Sequence, residues 1–404
     1  MWQKLLGRVL DRIIQKGTLQ VTWPDGQVAV FGDNASAPVT ITLLARSLPR
    51  KLFLNPELAL AEAYMDETLL IGDDDLKGFL SLLGVNAGAH GTGRFASAAG
   101  GARKYLRRIS QHNPLATARR NVEHHYDLST DLYELFLDDD LQYTCAYFRD
   151  PDMSLEQAQA AKKAHIAAKL MIEPGMRVMD IGCGWGGLSI TLARDYGARV
   201  TGVSLSQVQL DYARARAEKA GVADRIDFRL IDYRDVSEQF DRIVVVGMLE
   251  HVGQPQYATF FRKLRENLTE DGIALVHSIG RETPPGRTSP FIHKYIFPGG
   301  YIPAMSEVLS EIERTRLVVA DVEVWRGHYA KTLRHWQARF DQNLDAISAL
   351  YDDRFCRMWR YYLIAAEVGN NALGLTLFQF QISRQQLTVP TSRDYLYKDA
   401  NPGD

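Results

Sequence analysis

The sequence predicts an α/β fold: a Rossmann-like, doubly wound, mostly parallel sheet with a smaller α+β domain on its N-terminal side. Three observations predict it. From residue 121 onward, short apolar runs alternate with helical patterns. One run, Val178-Met179-Asp180-Ile181, passes directly into Gly182-Cys183-Gly184-Trp185-Gly186-Gly187, giving a strand, a glycine turn and a helix start in succession. Before residue 46, by contrast, short alternating strands are punctuated by turn residues.

The elements follow in chain order. Trp2, Leu5, Leu6, Val9, Leu10, Ile13 and Ile14 recur at helical spacing, with Lys4, Arg8, Arg12 and Lys16 largely on the other side. Such a basic helix either lies on an anionic membrane surface or packs on its own domain, and the second reading is favoured. Thr18 to Trp23, Gln27 to Phe31 and Val39 to Ala45 read as strands around the turn Pro24-Asp25-Gly26, and helices are expected near 56–65 and 74–83. Residues 85–102, rich in Gly and Ala, read as a linker. A basic segment follows with Arg103, Lys104, Arg107, Arg108, Arg119 and Arg120, which is either a phosphate-facing surface or a solvated charge run. The expected domains are therefore 1–84, a linker and basic segment at 85–120, and 121–404. Strands are expected at 177–181, 199–203, 226–231, 241–246 and 273–278. A Pro- and Gly-rich excursion at 280–305 reads as a substrate cover. Helices near 328–345 and 354–368 and a strand at 375–382 complete the chain.

Composition narrows the function. A chain of 404 residues with 46% hydrophobic content can bury a substantial core, and a net charge of −2 gives no global reason to expect nucleic acid. Cys145, Cys183 and Cys356 cannot form a disulfide framework, no Cys/His cluster has metal-ligand spacing, and no apolar run reaches the roughly 18 residues of a membrane span. The expected location is the cytoplasm, and no metal is expected.

The glycine turn can floor a nucleotide-like cofactor, because glycines allow close backbone approach and helix-start amides face the ligand. Gly182, Gly184 and Gly187 also satisfy a dinucleotide pattern. Two details favour S-adenosylmethionine (SAM) instead. Asp180 precedes the first glycine, and the next strand runs into Ser204-Leu205-Ser206-Gln207 without the acid that dinucleotide ribose needs.

Further segments join this turn: His125-Tyr126-Asp127-Leu128-Ser129, Tyr143-Thr144-Cys145-Ala146-Tyr147-Phe148, Leu249-Glu250-His251-Val252-Gly253, Val276-His277-Ser278-Ile279, Tyr295-Ile296-Phe297-Pro298-Gly299-Gly300 and Gly327-His328-Tyr329-Ala330-Lys331-Thr332-Leu333. In this order the chain resembles the cyclopropane-fatty-acyl-phospholipid synthases and the mycolic acid cyclopropane synthases, over nearly its whole length and most strongly at 121–335. The resemblance implies a class I SAM-dependent methyltransferase with an N-terminal lipid-binding domain. It implies transfer of a methyl from SAM to a cis double bond of a phospholipid acyl chain, proton loss from the resulting cation and ring closure. It further implies a bound bicarbonate as proton acceptor, matched here by Cys145, Glu250, His277 and Tyr329. For SAM it maps Tyr143, Thr144, Asp180, Gly182, Gly184, Ser204, Leu205 and Gln209. Asp232, with Tyr233, is the candidate for the adenine amine; a helix-capping aspartate is the other reading of Asp232. Phe148, Tyr295 and Tyr301 are candidate faces for passing positive charge. The resemblance also implies a homodimer, peripherally associated with the inner membrane surface and acting on unsaturated phospholipids.

The chain departs from the pattern where some relatives carry a second cysteine, which here reads Ile364-Ala365-Ala366-Glu367, and at Ala61 and Glu67, where relatives often have glycine. Cys356 lies outside the pattern. Two other functions compete: a SAM methyltransferase making methyl-branched lipid or methylating a small amine, and a lipid-transfer protein with a vestigial fold, against which the intact glycine turn argues.

Overall fold

The structure, a computed structural model, describes residues 1–89 and 129–397. The basic segment at 103–120, most of the expected linker and His125 to Leu128 lie outside the described residues. Among the described residues no helix is long and apolar enough to cross a membrane. Contacts divide the chain into two compact units.

One unit gathers the described residues up to 89 with Thr288–Pro298 and Ala330–Leu375. Its sheet has the order β2-β1-β3-β4. Strand β1 (Thr18–Thr22) pairs antiparallel with β2 (Val28–Gly32) and parallel with β3 (Val39–Leu43). β3 in turn pairs antiparallel with β4 (Leu69–Ile71). Leu19, Val21, Ile41 and Leu43 form its buried face. Helix α1 (Trp2–Ile13) buries Leu6, and its Trp2 ring sits 5.6 Å from Phe53 of α2 (Leu48–Leu54), so the amphipathic helix packs on its own unit. α2 and β4 were not expected, being too short to show a period. Helix α3 (Pro56–Met65) buries Ala59, Ala61, Ala63, Tyr64 and Met65.

Helix α4 (Leu76–Ala89) runs past residue 85, where a linker was expected. Its small residues serve packing: a Cβ on Gly84 would lie 2.6 Å from Val368 on the helix Asp353–Ala372. Asn86, fully buried, accepts from the amides of Gln15 (2.8 Å) and Lys16 (2.9 Å) and donates to the carbonyls of Lys16 and Leu82. It thereby stitches the exit of α1 to α4. The helix Asp353–Ala372 also presents Arg354, Arg357 and Arg360 at three-residue spacing, each paired with an acid, Asp66, Glu67 and Asp74.

The other unit holds a seven-stranded sheet in the order β10-β11-β9-β8-β5-β6-β7. Strands β5 (Arg177–Ile181), β6 (Arg199–Ser204), β7 (Ile226–Leu230), β8 (Phe240–Val246) and β9 (Leu268–Arg281) pair in parallel. β10 (Val318–Val324) and β11 (Leu375–Ser383) are antiparallel to one another. β9 is longer than expected, and β10 was not expected at all. The strands are apolar on both faces because each face carries its own core. Met179, Ile181, Ile243, Val245, Ala274 and Val276 join one cluster. Val178, Val244, Ile273 and Leu275 join the other, together with Ile166 and Leu170 of α6 (Leu155–Leu170); α5 is Thr130–Phe136. Residues 280–305 do not form one excursion. Thr288–Pro298 belongs to the first unit and Gly299–Tyr329 to the second.

The expected continuous domain of residues 121–404 therefore differs from the observed division, because the late helices bury their apolar faces on the N-terminal sheet unit.

Replacing Asn86 by Ala removes four hydrogen bonds and leaves the part-buried amides of Gln15 and Lys16 without their side-chain acceptor. The expected cost is about 1–3 kcal/mol, read as a lowered denaturant midpoint.

Candidate active site

Strand alternation decides which side chains share the face under α6. Val178 and Asp180 point one way, with Ile273, Leu275 and His277 on β9. On β11, Phe378 and Phe380 join the opposite cluster, which turns Gln379 to the His277 side. Asp180 (2% exposed) accepts from Ser189 Oγ at 2.7 Å on α7 (Gly187–Tyr196). Burial raises its pKa to about 6, so it is ionised at neutral pH.

The glycine turn wraps the end of β5. The amide of Gly182 donates to the Val203 carbonyl of β6 at 2.9 Å. Gly184 has φ +54°, and a Cβ there would meet no protein atom within 4 Å. From β6, Ser204 Oγ accepts from the Ser206 amide, and Ser206 caps α8 (Gln207–Lys219) through the Gln209 amide. Leu205 is half-buried. Gln209 is 4% exposed, yet its Nε2 has no partner.

The loop Asp138–Ala146 closes this floor. Tyr143 meets the rings of Tyr133 (5.2 Å) and Phe136 (6.2 Å) edge-on. Thr144 Oγ1 accepts from Lys162 Nζ at 2.7 Å. A Cβ on Gly187 would strike Gln142 and Asp140, and one on Gly247 would lie 2.9 Å from the Thr144 methyl. The loop therefore sits between the start of α7 and the end of β8.

At the ends of β8 and β9 lie two of the other candidates, Glu250 and His277. Val246 pairs with His277 in register, and the Gly247 amide donates to the His277 carbonyl at 2.9 Å. Two residues later α9 (Leu249–Val252) presents Glu250, whose Oε1 accepts from the Ile279 amide at 2.6 Å. Glu250 Oε2 is buried without a partner. Burial raises Glu250 to about 7 and drives His277 well below its usual value, leaving the imidazole neutral. His277 Nδ1 lies 3.0 Å from Gln379 Nε2, which as an amide donor assigns the ring proton to Nε2, and that atom too is buried without a partner. Cys145, 1% exposed, follows Thr144 in the loop. Tyr329, 7% exposed, follows His328, whose Nδ1 accepts from the Phe148 amide at 3.1 Å.

Some candidates are placed otherwise. Both oxygens of Asp232 are held by Arg234, and Oδ1 also accepts the Arg234 amide; the geometry is that of the capping reading. Tyr233 packs edge-on against Phe260 at 5.6 Å, and burial pushes its phenol pKa upward. The Tyr295 ring already faces Lys294 (4.8 Å) and Arg354 (5.7 Å), and its hydroxyl donates to Glu62. Tyr301 lies under Arg281, its hydroxyl donates to Glu307, and its amide donates to the Glu250 carbonyl at 2.8 Å. Neither ring is a vacant cation face; Tyr301 instead braces Glu250. Sequence reading missed Gln159, Lys162 and Gln379, and also Trp325, whose ring stands edge-on to His277 at 4.9 Å.

A family profile described as mycolic acid cyclopropane synthetase matches residues 114–380. The chain belongs to the mycolic acid cyclopropane synthetase family. A second profile, a domain of unknown function, matches residues 3–82. Among relatives, the probable fatty acid methyltransferase of Pseudomonas putida is 41% identical over 60% of this chain and 63% of its own. The cyclopropane-fatty-acyl-phospholipid synthase of Escherichia coli K12 is 43% identical over 64% of this chain and 66% of its own. The chain thus spans a little under two thirds of these relatives' length. The crystal structure of the mycolic acid cyclopropane synthase CmaA1 complexed with SAH and CTAB superposes with a TM-score of 0.63, at 31% identity, over 67% of this chain and 99% of that one. The sheet order and these likenesses make the fold that of the class I SAM-dependent methyltransferases.

Gly184→Ala fills the opening without touching protein atoms, although at φ +54° it also strains the turn backbone, which a lowered melting temperature would show. The expected outcome is a folded protein whose calorimetric SAM dissociation constant rises about tenfold or more, equivalent to about 1.4 kcal/mol.

Proposed function

We propose that this chain is a SAM-dependent methyltransferase that adds a one-carbon unit across a cis double bond of an unsaturated phospholipid acyl chain and closes a cyclopropane ring. Bound bicarbonate is the proposed proton acceptor. The observation that carries this reading is the pair of buried, unpartnered atoms at neighbouring strand ends, Glu250 Oε2 and His277 Nε2. A buried acceptor and a buried donor, both left open, fit a small group with both a hydroxyl and an oxyanion. The opening at Gly184 and the unpartnered Gln209 Nε2 fit SAM in the same way.

SAM supplies, when bound, an electrophilic methyl on a sulfonium. Bicarbonate supplies a weak base that would not itself be alkylated as a strong nucleophile would. The chain's part is to hold, orient and exclude. Asp180, ionised at neutral pH, offers a carboxylate toward cofactor hydroxyl or ammonium groups. His277 donates from Nε2, and its neutrality spares the pocket a competing cation. Glu250 accepts a hydroxyl proton at Oε2 and so fixes the orientation of the base. Cys145 and Tyr329 complete the proposed pocket wall. Burial of the whole set excludes water, which would quench a cation.

Peripheral membrane contact and a homodimer belong to the same proposal. Exposed Leu44, Phe53 and Leu54 beside Arg50 and Lys51 support contact with anionic headgroups. The name of the Pseudomonas relative keeps methyl-branched lipid as the second reading.

Incubation with SAM and unsaturated phospholipid vesicles, followed by mass analysis of the fatty esters, tests the function. The expected product gains one CH2 and loses the double bond. Retention of the double bond would instead support branching.

A pH profile tests Glu250. A carboxyl with a pKa of about 7 is protonated below that value and loses its charged acceptor, so kcat/KM should fall as pH drops through about 7. Glu250→Gln should abolish this limb and lower kcat by roughly 10²–10⁴-fold, with SAM affinity nearly unchanged.

A further inference from the structure

Below the proposed cofactor loop lies a buried polar group that the reaction itself does not use. Lys162 of α6 is 1% exposed and Gln159, one turn earlier, is completely buried. Lys162 Nζ donates to Gln142 Oε1 and to Thr144 Oγ1, both at 2.7 Å. Gln159 Nε2 donates to the carbonyls of Gln142 (3.1 Å) and Thr144 (2.9 Å). Four hydrogen bonds from one face of one helix therefore end on two residues of one loop. Between and just after those residues come Tyr143 and Cys145, which reach the proposed cofactor and the proposed anion pocket.

A buried ammonium is an expensive support. An amide or an apolar residue would fill the same space without the desolvation cost, and a buried cation without good partners destabilises a fold. What the ammonium adds is direction and charge. It holds two side-chain acceptors at once, and its charge reaches Asp180 and His277, whose ionisation it influences. Asp180 and His277 lie on the sheet face that α6 covers.

We propose that Lys162, with Gln159, is a positioning residue that fixes the Gln142–Cys145 loop against the cofactor floor and so sets SAM affinity and the placement of Cys145. This rests on the proposed function, but its main readout does not need the lipid chemistry. Neither residue touches the reacting atoms; both act through the loop.

The experiment measures SAM binding by calorimetry and steady-state kinetics on purified wild type, Lys162→Met, Thr144→Val and the double variant. If Lys162 acts through Thr144, Lys162→Met raises the SAM dissociation constant and lowers kcat/KM by on the order of 10²-fold, the scale expected for a displaced positioning group. The double variant is then little worse than the worse single one, because both remove the same contact. A merely structural role would lower the melting temperature and the fraction of binding-competent protein while leaving the dissociation constant of that fraction at the wild-type value. That result, or additive losses in the double variant, overturns the proposal. If Lys162→Met does not fold, Gln142→Leu combined with Thr144→Val removes the same two acceptors from the loop side and must reproduce the loss of SAM affinity, or the proposal falls. Wild-type protein that binds SAM but makes no lipid product would defeat the proposed function and leave this inference standing.

Discussion

The two-residue alternation of the central strands constrains the rest of the site. In β5, β8 and β9 each residue must face one of two cores, and the parallel registers tie the strands' phases together. Given that Val178, Ile273 and Leu275 are buried under α6, Asp180 and His277 have no choice of side. A one-residue slip of β9 would turn His277 into the opposite cluster and Ser278 toward α6. The chemistry is thus held by the apolar residues between the polar ones. Register, more than any single hydrogen bond, brings a carboxylate on one strand and an imidazole two strands away onto the same face.

That placement has an electrostatic price. The groups around the strand ends are removed from water, and burial is the largest cause of each shift: Asp180 and Glu250 upward, Lys162 and His277 downward. Glu250 and Lys162 end near neutrality, where small changes in surroundings alter their charge. A pocket of this kind stabilises the protein poorly, because several polar atoms lack partners within the chain. The two apolar clusters on either side of the sheet carry the fold instead.

The four inner parallel strands and the glycine turn were legible because strands covered on both faces leave uninterrupted apolar runs. β10 was not legible. Asp321 and Glu323 interrupt its apolar run; they pair with Lys169, itself buried, and Glu323 also meets His165. Gln159 and Lys162 escaped for the same reason. A signal for them exists: Leu155, Ala158, Gln159, Lys162, His165, Ile166, Lys169 and Leu170 form one buried stripe at helical spacing. Polar residues in phase with the apolar stripe, rather than opposite it, mark a helix that covers a polar site. Asp232 carried two readings in the sequence, an adenine contact or a cap, and its bonds to Arg234 have the geometry of the cap. Glu250, His277 and Cys145 are candidates only through their joint order in the chain; singly, each reads as an ordinary core residue.

The unit that contains the N-terminal sheet is assembled from three separated stretches, closing with the helix Asp353–Ala372. This has a temporal meaning during synthesis. The surface of α4 around Gly84 and the acids Asp66, Glu67 and Asp74 emerge from the ribosome roughly 290 residues before their partners on that helix are complete. At about 5–20 residues per second, that interval lasts on the order of 15–60 s. For that time a largely apolar helix face waits uncovered while the intervening sheet is still being made. The unit encoded first is thus not complete until Leu375 has been made, and its exposed helix face is where a nascent-chain chaperone would have a long opportunity to bind.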